Sequence, residues 1–176
     1  GSTTGTTTKV SNATTTIGGK LTIGTGHTFG AGGSLLVFTG SGNVFVENGT
    51  FNESTSTVRY SGATGANVLG TTYYNLLVNA SGGTPTYTGA GIGINILGAL
   101  TVGGTATTTL TFDTSDQVVN VDGTVTIHPS GTLIGSNTAL FSAGGSWDGD
   151  GTFTGSGGTV LFDGSGVHTI APGTSS

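Results

Sequence analysis

The chain of 176 residues has no cysteine, so neither disulfide staples nor thiolate metal sites can hold it together, and cysteine usage gives no reading of its redox compartment. Methionine is absent too, the initiator included, which leads to the expectation of a processed, mature secreted chain. Only 11 residues are charged, Lys9, Lys20 and Arg59 against eight acids. A net charge of -5 with three scattered basic residues offers no footprint for phosphate backbones or anionic lipids. Nucleic acid and membrane surfaces are therefore not expected partners. No apolar run approaches the roughly 20 residues of a spanning helix, so no membrane insertion is expected. Apolar residues at helical spacing are missing as well, which excludes helix as the main element.

What is present is repetition. Gly and Thr together make up about two-fifths of the chain, far from ordinary usage. Val, Ile, Thr, Phe and Tyr abound, which argues against disorder. Apolar residues fall into short clusters alternating with Thr, Ser or Asn and punctuated by Gly: Leu21 to Ile23, Leu35 to Phe38, Val44 to Val46, Val58 to Tyr60, Tyr74 to Val78, Ile92 to Leu97, Leu100 to Val102, and onwards to Val160 to Phe162. Such strands suit an antiparallel sandwich or a solenoid. Residues 19–60 can be laid over 123–162, matching Leu21 with Val125, Ile23 with Ile127 and Phe29 with Leu133. After a two-residue slip, Phe45 meets Trp147, Gly49-Thr50-Phe51 meets Gly151-Thr152-Phe153, and Val58 with Tyr60 meets Val160 with Phe162. A sandwich has no reason to revisit a pattern after so long a stretch, whereas a coil of about 20 to 25 residues with three strands can repeat indefinitely. The expected fold is all-β: a right-handed parallel β-solenoid of about seven short coils with uncapped ends, roughly 35 Å long at about 4.8 Å per coil. Residues 1–16 are expected to form an N-terminal extension ordered by a partner, and 17–176 the solenoid domain.

The segments Trp147-Asp148-Gly149-Asp150-Gly151-Thr152-Phe153, Gly158 to Gly164, His168-Thr169-Ile170 and Tyr73-Tyr74-Asn75-Leu76-Leu77-Val78-Asn79 resemble a Gly/Thr-rich repeat family of prokaryotic secreted or surface β-helix proteins, many of them adhesin-like. The resemblance covers most of residues 19–170. It implies an extracellular or cell-surface β-helix with a structural or adhesive role, and it carries over no catalytic residue. Members are long multi-repeat chains, whereas this sequence holds less than two long repeats.

The sequence closes on His168 to Gly173, the place where the first copy runs from Asn67-Val68-Leu69 into Thr71-Thr72-Tyr73. It opens on a Thr-rich stretch similar to that continuation. Head-to-tail self-assembly into a filament is therefore the expected function, with the chain itself as partner. The expected interface residues are Lys9, Val10, Leu21 and Ile23 at one end and Val160, Phe162 and Ile170 at the other. The alternative is an adhesin or carbohydrate-binding stalk whose Trp147, Tyr73, Tyr74 and Tyr87 stack on surface glycans.

Other constellations are sparse. Asp148 and Asp150 resemble a calcium turn, but the third ligand and distal Glu of a cation loop are missing, so a solvated corner is the plainer reading and no cofactor is expected. Asp113, Asp116 and Asp122 read as a polar turn. The basic residues lie far from the acids, and His27, His128 and His168 occupy unrelated phases of the pattern, so no enzyme is expected. Asn12, Asn48, Asn52 and Asn79 head Asn-x-Ser/Thr strings and are candidate glycan acceptors. Thr-x-Thr units at Thr14 to Thr16, Thr84 to Thr88, Thr107 to Thr111, Thr124 to Thr126 and Thr152 to Thr154 could order water, as ice-binding solenoids do. Their irregular spacing in sequence argues against one shared face.

Overall fold

Alternating short strands, glycine corners and the absence of helix-forming periodicity produce a parallel β-solenoid of about seven turns. The computed structural model describes residues 6–8 and 13–172. Strand β1 (Thr6–Thr8) precedes a first turn of β2 (Thr14–Ile17), β3 (Leu21–Ile23) and β4 (Thr28–Gly30), and a second of β5 (Leu35–Phe38), β6 (Phe45–Glu47) and β7 (Thr50–Asn52). The third turn is β8 (Thr57–Tyr60), β9 (Asn67–Leu69) and β10 (Thr72–Tyr73), and the fourth β11 (Asn75–Val78), β12 (Thr86–Ala90) and β13 (Gly93–Ile96). The fifth is β14 (Leu100–Val102), β15 (Thr108–Thr111) and β16 (Val118–Val121). The sixth is β17 (Val125–Ile127), β18 (Gly131–Ile134) and β19 (Leu140–Ala143). The seventh is β20 (Trp147–Gly149), β21 (Thr152–Thr154) and β22 (Thr159–Phe162), after which β23 (Ile170–Pro172) opens an eighth.

Every third strand pairs in parallel, so the coil has three faces. The first face is one continuous sheet, β2-β5-β8-β11-β14-β17-β20-β23. The second runs β3-β6 and then β9-β12-β15-β18-β21; the third runs β1-β4-β7 and then β10-β13-β16-β19-β22. Turn length varies from the 18 residues separating Thr57 from its partner Asn75 to the 25 separating Leu100 from Val125. Thr6–Thr8 and the first three residues of β2, Thr14 to Thr16, lie within the stretch expected to be ordered by a partner; β1 and β2 pair within the chain, against β4 and β5.

The second and third sheets break between the second and third turns, where side chains take over from the ladder. The Glu47 carboxylate accepts the Phe51 N–H at 2.8 Å and the Thr71 hydroxyl at 2.7 Å, and Asn67 donates to the Asn43 side chain at 2.6 Å. Inside, the Tyr73 hydroxyl donates to the Leu69 carbonyl at 2.7 Å, and the Leu69 N–H donates to the Tyr60 hydroxyl at 3.3 Å. The two hydroxyls lie 3.1 Å apart. Burial pushes the Tyr60 phenol up to about 12 and Tyr73 well above its ordinary value, so both remain neutral hydrogen-bonding groups through the physiological range.

Alternation along each strand sends one set of side chains inward. Val58, Tyr60, Leu76, Val78, Leu100, Val102, Val125 and Ile127 fill the first face, all fully buried. Aromatic rings continue the packing between faces, with Phe38, Phe45 and Phe51 in the lower turns and Phe112, Phe141, Trp147 and Phe153 in the upper ones.

The long sequence repeat is a structural repeat, but on different faces. Strand β3 aligns with β17 and β8 with β22, in each case 14 strands later, which is four turns and two strands. The same pattern is thus seated two-thirds of a turn away. Local geometry nevertheless coincides. Phe45 and Phe51 meet edge-on at 5.1 Å and 83°, Trp147 and Phe153 at 5.0 Å and 80°. Ser54 and Ser156 both occupy the left-handed region at φ 49°. The turn closed by the His27 N–H on the Gly24 carbonyl has its counterpart in the Gly131 N–H on the His128 carbonyl.

The sockets of Gly49 and Gly151 show how tight this equivalence is. A Cβ at Gly49 would collide with the carbonyl oxygens of Gly24 and His27 beside Ile23, and one at Gly151 with those of His128 and Gly131 beside Ile127. Gly49→Ala and Gly151→Ala are therefore expected to destabilise by similar amounts, about 2 kcal/mol each, through overpacking against backbone. Gly19→Ala, with nothing within 4 Å, should be near neutral. Denaturant midpoints compare the three; a large difference between the first two contradicts the shared geometry.

Candidate functional site

Among the described residues, no further strand pairs below β1, β2 and β3 or above β21, β22 and β23. At the high end, Phe162 is 45% and Ile170 52% exposed, although both stand at inward positions above Ala143 and Trp147, and Val160 is half-buried. Phe162 meets Trp147 edge-on at 5.8 Å and covers part of it. At the low end Leu21 is half-buried, but Ile23 is only 3% exposed and belongs to the core, so the open feature there is the backbone edge of β3 rather than the Ile23 side chain. Lys9 and Val10 lie outside the described residues.

The aromatic residues weighed as sugar platforms are core. Tyr73 and Tyr87 are fully buried and Trp147 nearly so, leaving Tyr74 half-buried. The Tyr87 hydroxyl donates to the Gly62 carbonyl, and its burial raises the phenol to about 12.

The corners hold the carboxylates. Asp148 points outward in the middle of β20, stacked between Thr126 and Ala171, and Asp150 lies exposed at the following corner. Asp122 accepts the Asn120 side-chain amide at 2.8 Å, and that amide also reaches Asn95 at 2.8 Å, forming a short asparagine ladder beside an open depression of about 450 Å³ lined by Ile92, Val118, Asn95 and Asn120. Asp113, Asp116 and Asp122 do not converge, and among the described residues no group of three His, Cys, Asp or Glu side chains is placed to hold a metal ion. Of the glycan candidates, Asn48 is exposed at a corner and Asn52 is exposed as the last residue of β7. Asn79 is engaged, accepting the Thr105 N–H at 2.9 Å, and Asn12 is outside the described residues.

Asp116 is the corner acid with the most hydrogen bonds to a neighbouring turn among the described residues. It sits in the left-handed region at φ 47° and accepts the N–H groups of Thr138 at 2.6 Å and Ala139 at 3.0 Å together with the Thr138 hydroxyl, so it clamps the corner of the next turn.

The second face carries a feature that sequence spacing concealed. Thr86 pairs with Thr109, Thr109 with Thr132 and Thr132 with Thr152; two residues along each strand, Thr88 pairs with Thr111, Thr111 with Ile134 and Ile134 with Thr154. The intervening residues Tyr87, Leu110, Leu133 and Phe153 point inward, so both columns face out. Two of the Thr-x-Thr units noticed in sequence stand elsewhere, with Thr14, Thr16 and Thr126 on the first face. The signal was hidden because the first-face unit ending at Thr126 falls among these rungs in sequence and the rung at Thr132 carries Ile134 in place of a second threonine; the pairing register separates the two sets.

No family model matches the chain, and no curated protein or solved structure matches it.

Hydrogen bonds from the Thr138 hydroxyl, then from the Thr138 and Ala139 N–H groups, hold the Asp116 carboxyl down at about 2 against an ordinary 3.8. A folded value below the unfolded one means that the clamp contributes above the ordinary carboxylate range and is lost as pH falls towards about 2. Amide shifts of Thr138 and Ala139 followed by NMR should therefore move with a midpoint near 2; a midpoint near 4 contradicts the clamp.

Proposed function

We propose that this protein is a structural subunit of an extracellular filament that polymerises head to tail through its open turns. The observation that supports this reading best is the face-independent repeat. Because one sequence pattern seats equally well two-thirds of a turn apart, a turn of this solenoid accepts another in more than one rotational setting. The edge presented by β21, β22 and β23 leaves Phe162 and Ile170 half-exposed at positions that are sealed in every middle turn. A second copy covers them by continuing the ladder, and the contact is heterologous, so it propagates without closing. With few charges in the columns, stacking of turns meets little like-charge repulsion. The alternative of a glycan-binding stalk is less well supplied, since three of its four candidate aromatics lie inside the solenoid.

Setting β1 of a second copy directly after β23 advances the ramp by 23 strands, seven turns and two-thirds. Electron microscopy of the concentrated protein should show unbranched fibres with an axial rise of about 37 Å per subunit at about 4.8 Å per turn. Each subunit should be rotated from the last by about two-thirds of a turn, a setting that follows from the strand advance. Ile170→Lys should shorten or abolish the fibres without unfolding the subunit, because it places a charge between stacked turns. Monomeric protein at high concentration, by light scattering, contradicts the filament; fibres without this rotation contradict only the seating.

A further inference from the structure

We infer that the second face of the solenoid is a binding surface for crystalline water. The inference does not depend on end-to-end assembly. It rests on the two columns Thr86–Thr109–Thr132–Thr152 and Thr88–Thr111–Ile134–Thr154, in which seven of eight positions across four successive strands are threonine, six of them reaching the surface. Thr86, Thr152 and Thr154 are exposed, and Thr88, Thr109 and Thr132 half-buried in the plane of the sheet. Thr111 is withdrawn at 7% exposure, its hydroxyl accepting the Asp113 N–H at 3.3 Å.

The chemistry of the array selects its ligand. Rungs of a parallel ladder repeat at about 4.8 Å and alternate residues of a strand at about 6.6 Å, which gives a two-dimensional grid close to the oxygen repeats of hexagonal ice. Each threonine offers a hydroxyl that can hold one water and a methyl that fits between waters, and its β-branch restricts χ1. A single such group binds water no better than solvent does. Held in register by a backbone ladder, the ordering cost of the whole grid is met during folding, so the contacts act together.

Other ligands fit less well. None of the eight positions is charged, so neither phosphate nor a divalent cation is drawn to the face. None is aromatic, so a sugar ring finds no stacking platform. The contrast with the first face is clear: one of its outward columns reads Thr16, Val37, Arg59, Leu77, Thr101, Thr126, Asp148 and Ala171, with only one adjacent threonine pair and two charges, and another begins Thr14, Leu35, Thr57 and Asn75, with no adjacent threonine pair.

The test is partition of the fluorescently labelled 176-residue protein into a slowly growing ice front, together with inhibition of ice recrystallisation in a frozen sucrose solution. The wild-type protein should enter the ice and hold grains small. Thr109→Tyr and Thr132→Tyr should each reduce partition about tenfold by lifting the lattice off the grid, because the contacts act only together. Thr126→Tyr on the first face should leave partition unchanged. Should either tyrosine variant fail to fold by circular dichroism, Thr152→Lys with Thr154→Lys on the exposed outer strand replaces it, with the same loss expected. Exclusion of the wild-type protein from ice overturns the inference, as does an equal loss in the Thr126→Tyr control. Retention of crystalline cellulose or chitin by the wild-type protein, with no entry into ice, also overturns it and assigns the face to an ordered polysaccharide.

Discussion

Parallel, in-register stacking of each strand on its counterpart one turn away is the constraint on which the rest of this molecule depends. It places like positions a few ångströms apart along the axis, so each column must tolerate its own neighbours. Inward columns are met by Val, Leu, Ile and aromatic rings, as in Val58–Leu76–Leu100–Val125–Trp147. Outward columns are met by Thr and Asn, which hydrogen-bond or pack without repulsion, as Asn95 does with Asn120. Charge is nearly absent for the same reason, and glycine stands where carbonyls of the preceding corner leave no room for Cβ, as at Gly49 and Gly151.

The three faces of the coil are close enough in geometry that one sequence pattern occupies two different settings. The edge-on aromatic pair, the left-handed serine and the glycine socket each recur 14 strands later on another face. A coil with interchangeable faces can insert, lose or append strands in units of one rather than three. This is what makes continuation by a second copy geometrically simple, and it leaves the outward columns free to differ from face to face. One face has become a mixed surface with Arg59 and Asp148, another a nearly uniform threonine grid.

Much of this was legible in the residues. The lack of helical spacing, the glycine corners and the recurrence of residues 19–60 at 123–162 lead to a parallel solenoid of about seven turns. Several features were not legible. The repeat gives similarity of local conformation but not the face on which it sits, because face is set by the accumulated turn lengths, which range from 18 to 25 residues. The threonine units looked irregular because units of the first face, at Thr14 to Thr16 and Thr124 to Thr126, are counted among them and Ile134 breaks one rung. That Thr6–Thr8 and Thr14–Ile17 pair within the chain was not readable because a polar Thr run carries no alternation, and the pairing comes from β4 and β5 rather than from its own pattern. The Asp116 clamp joins two successive turns across 22 residues and the hydroxyl pair of Tyr60 and Tyr73 joins two strands of one turn across 13, and no local motif announces either.

Pairing register carries both the interchangeable faces and the threonine grid, and a chain without cysteine allows it to be measured cleanly. Two cysteines form an unstrained disulfide only when their Cα atoms lie about 4.4 to 6.8 Å apart. Thr109→Cys combined with Thr132→Cys, adjacent rungs of the second face, should cross-link under mild oxidation in the folded protein, whereas Thr109→Cys with Thr126→Cys, on different faces, should not. Cross-linking of the second pair and not the first would contradict the register, and with it the three-faced ladder.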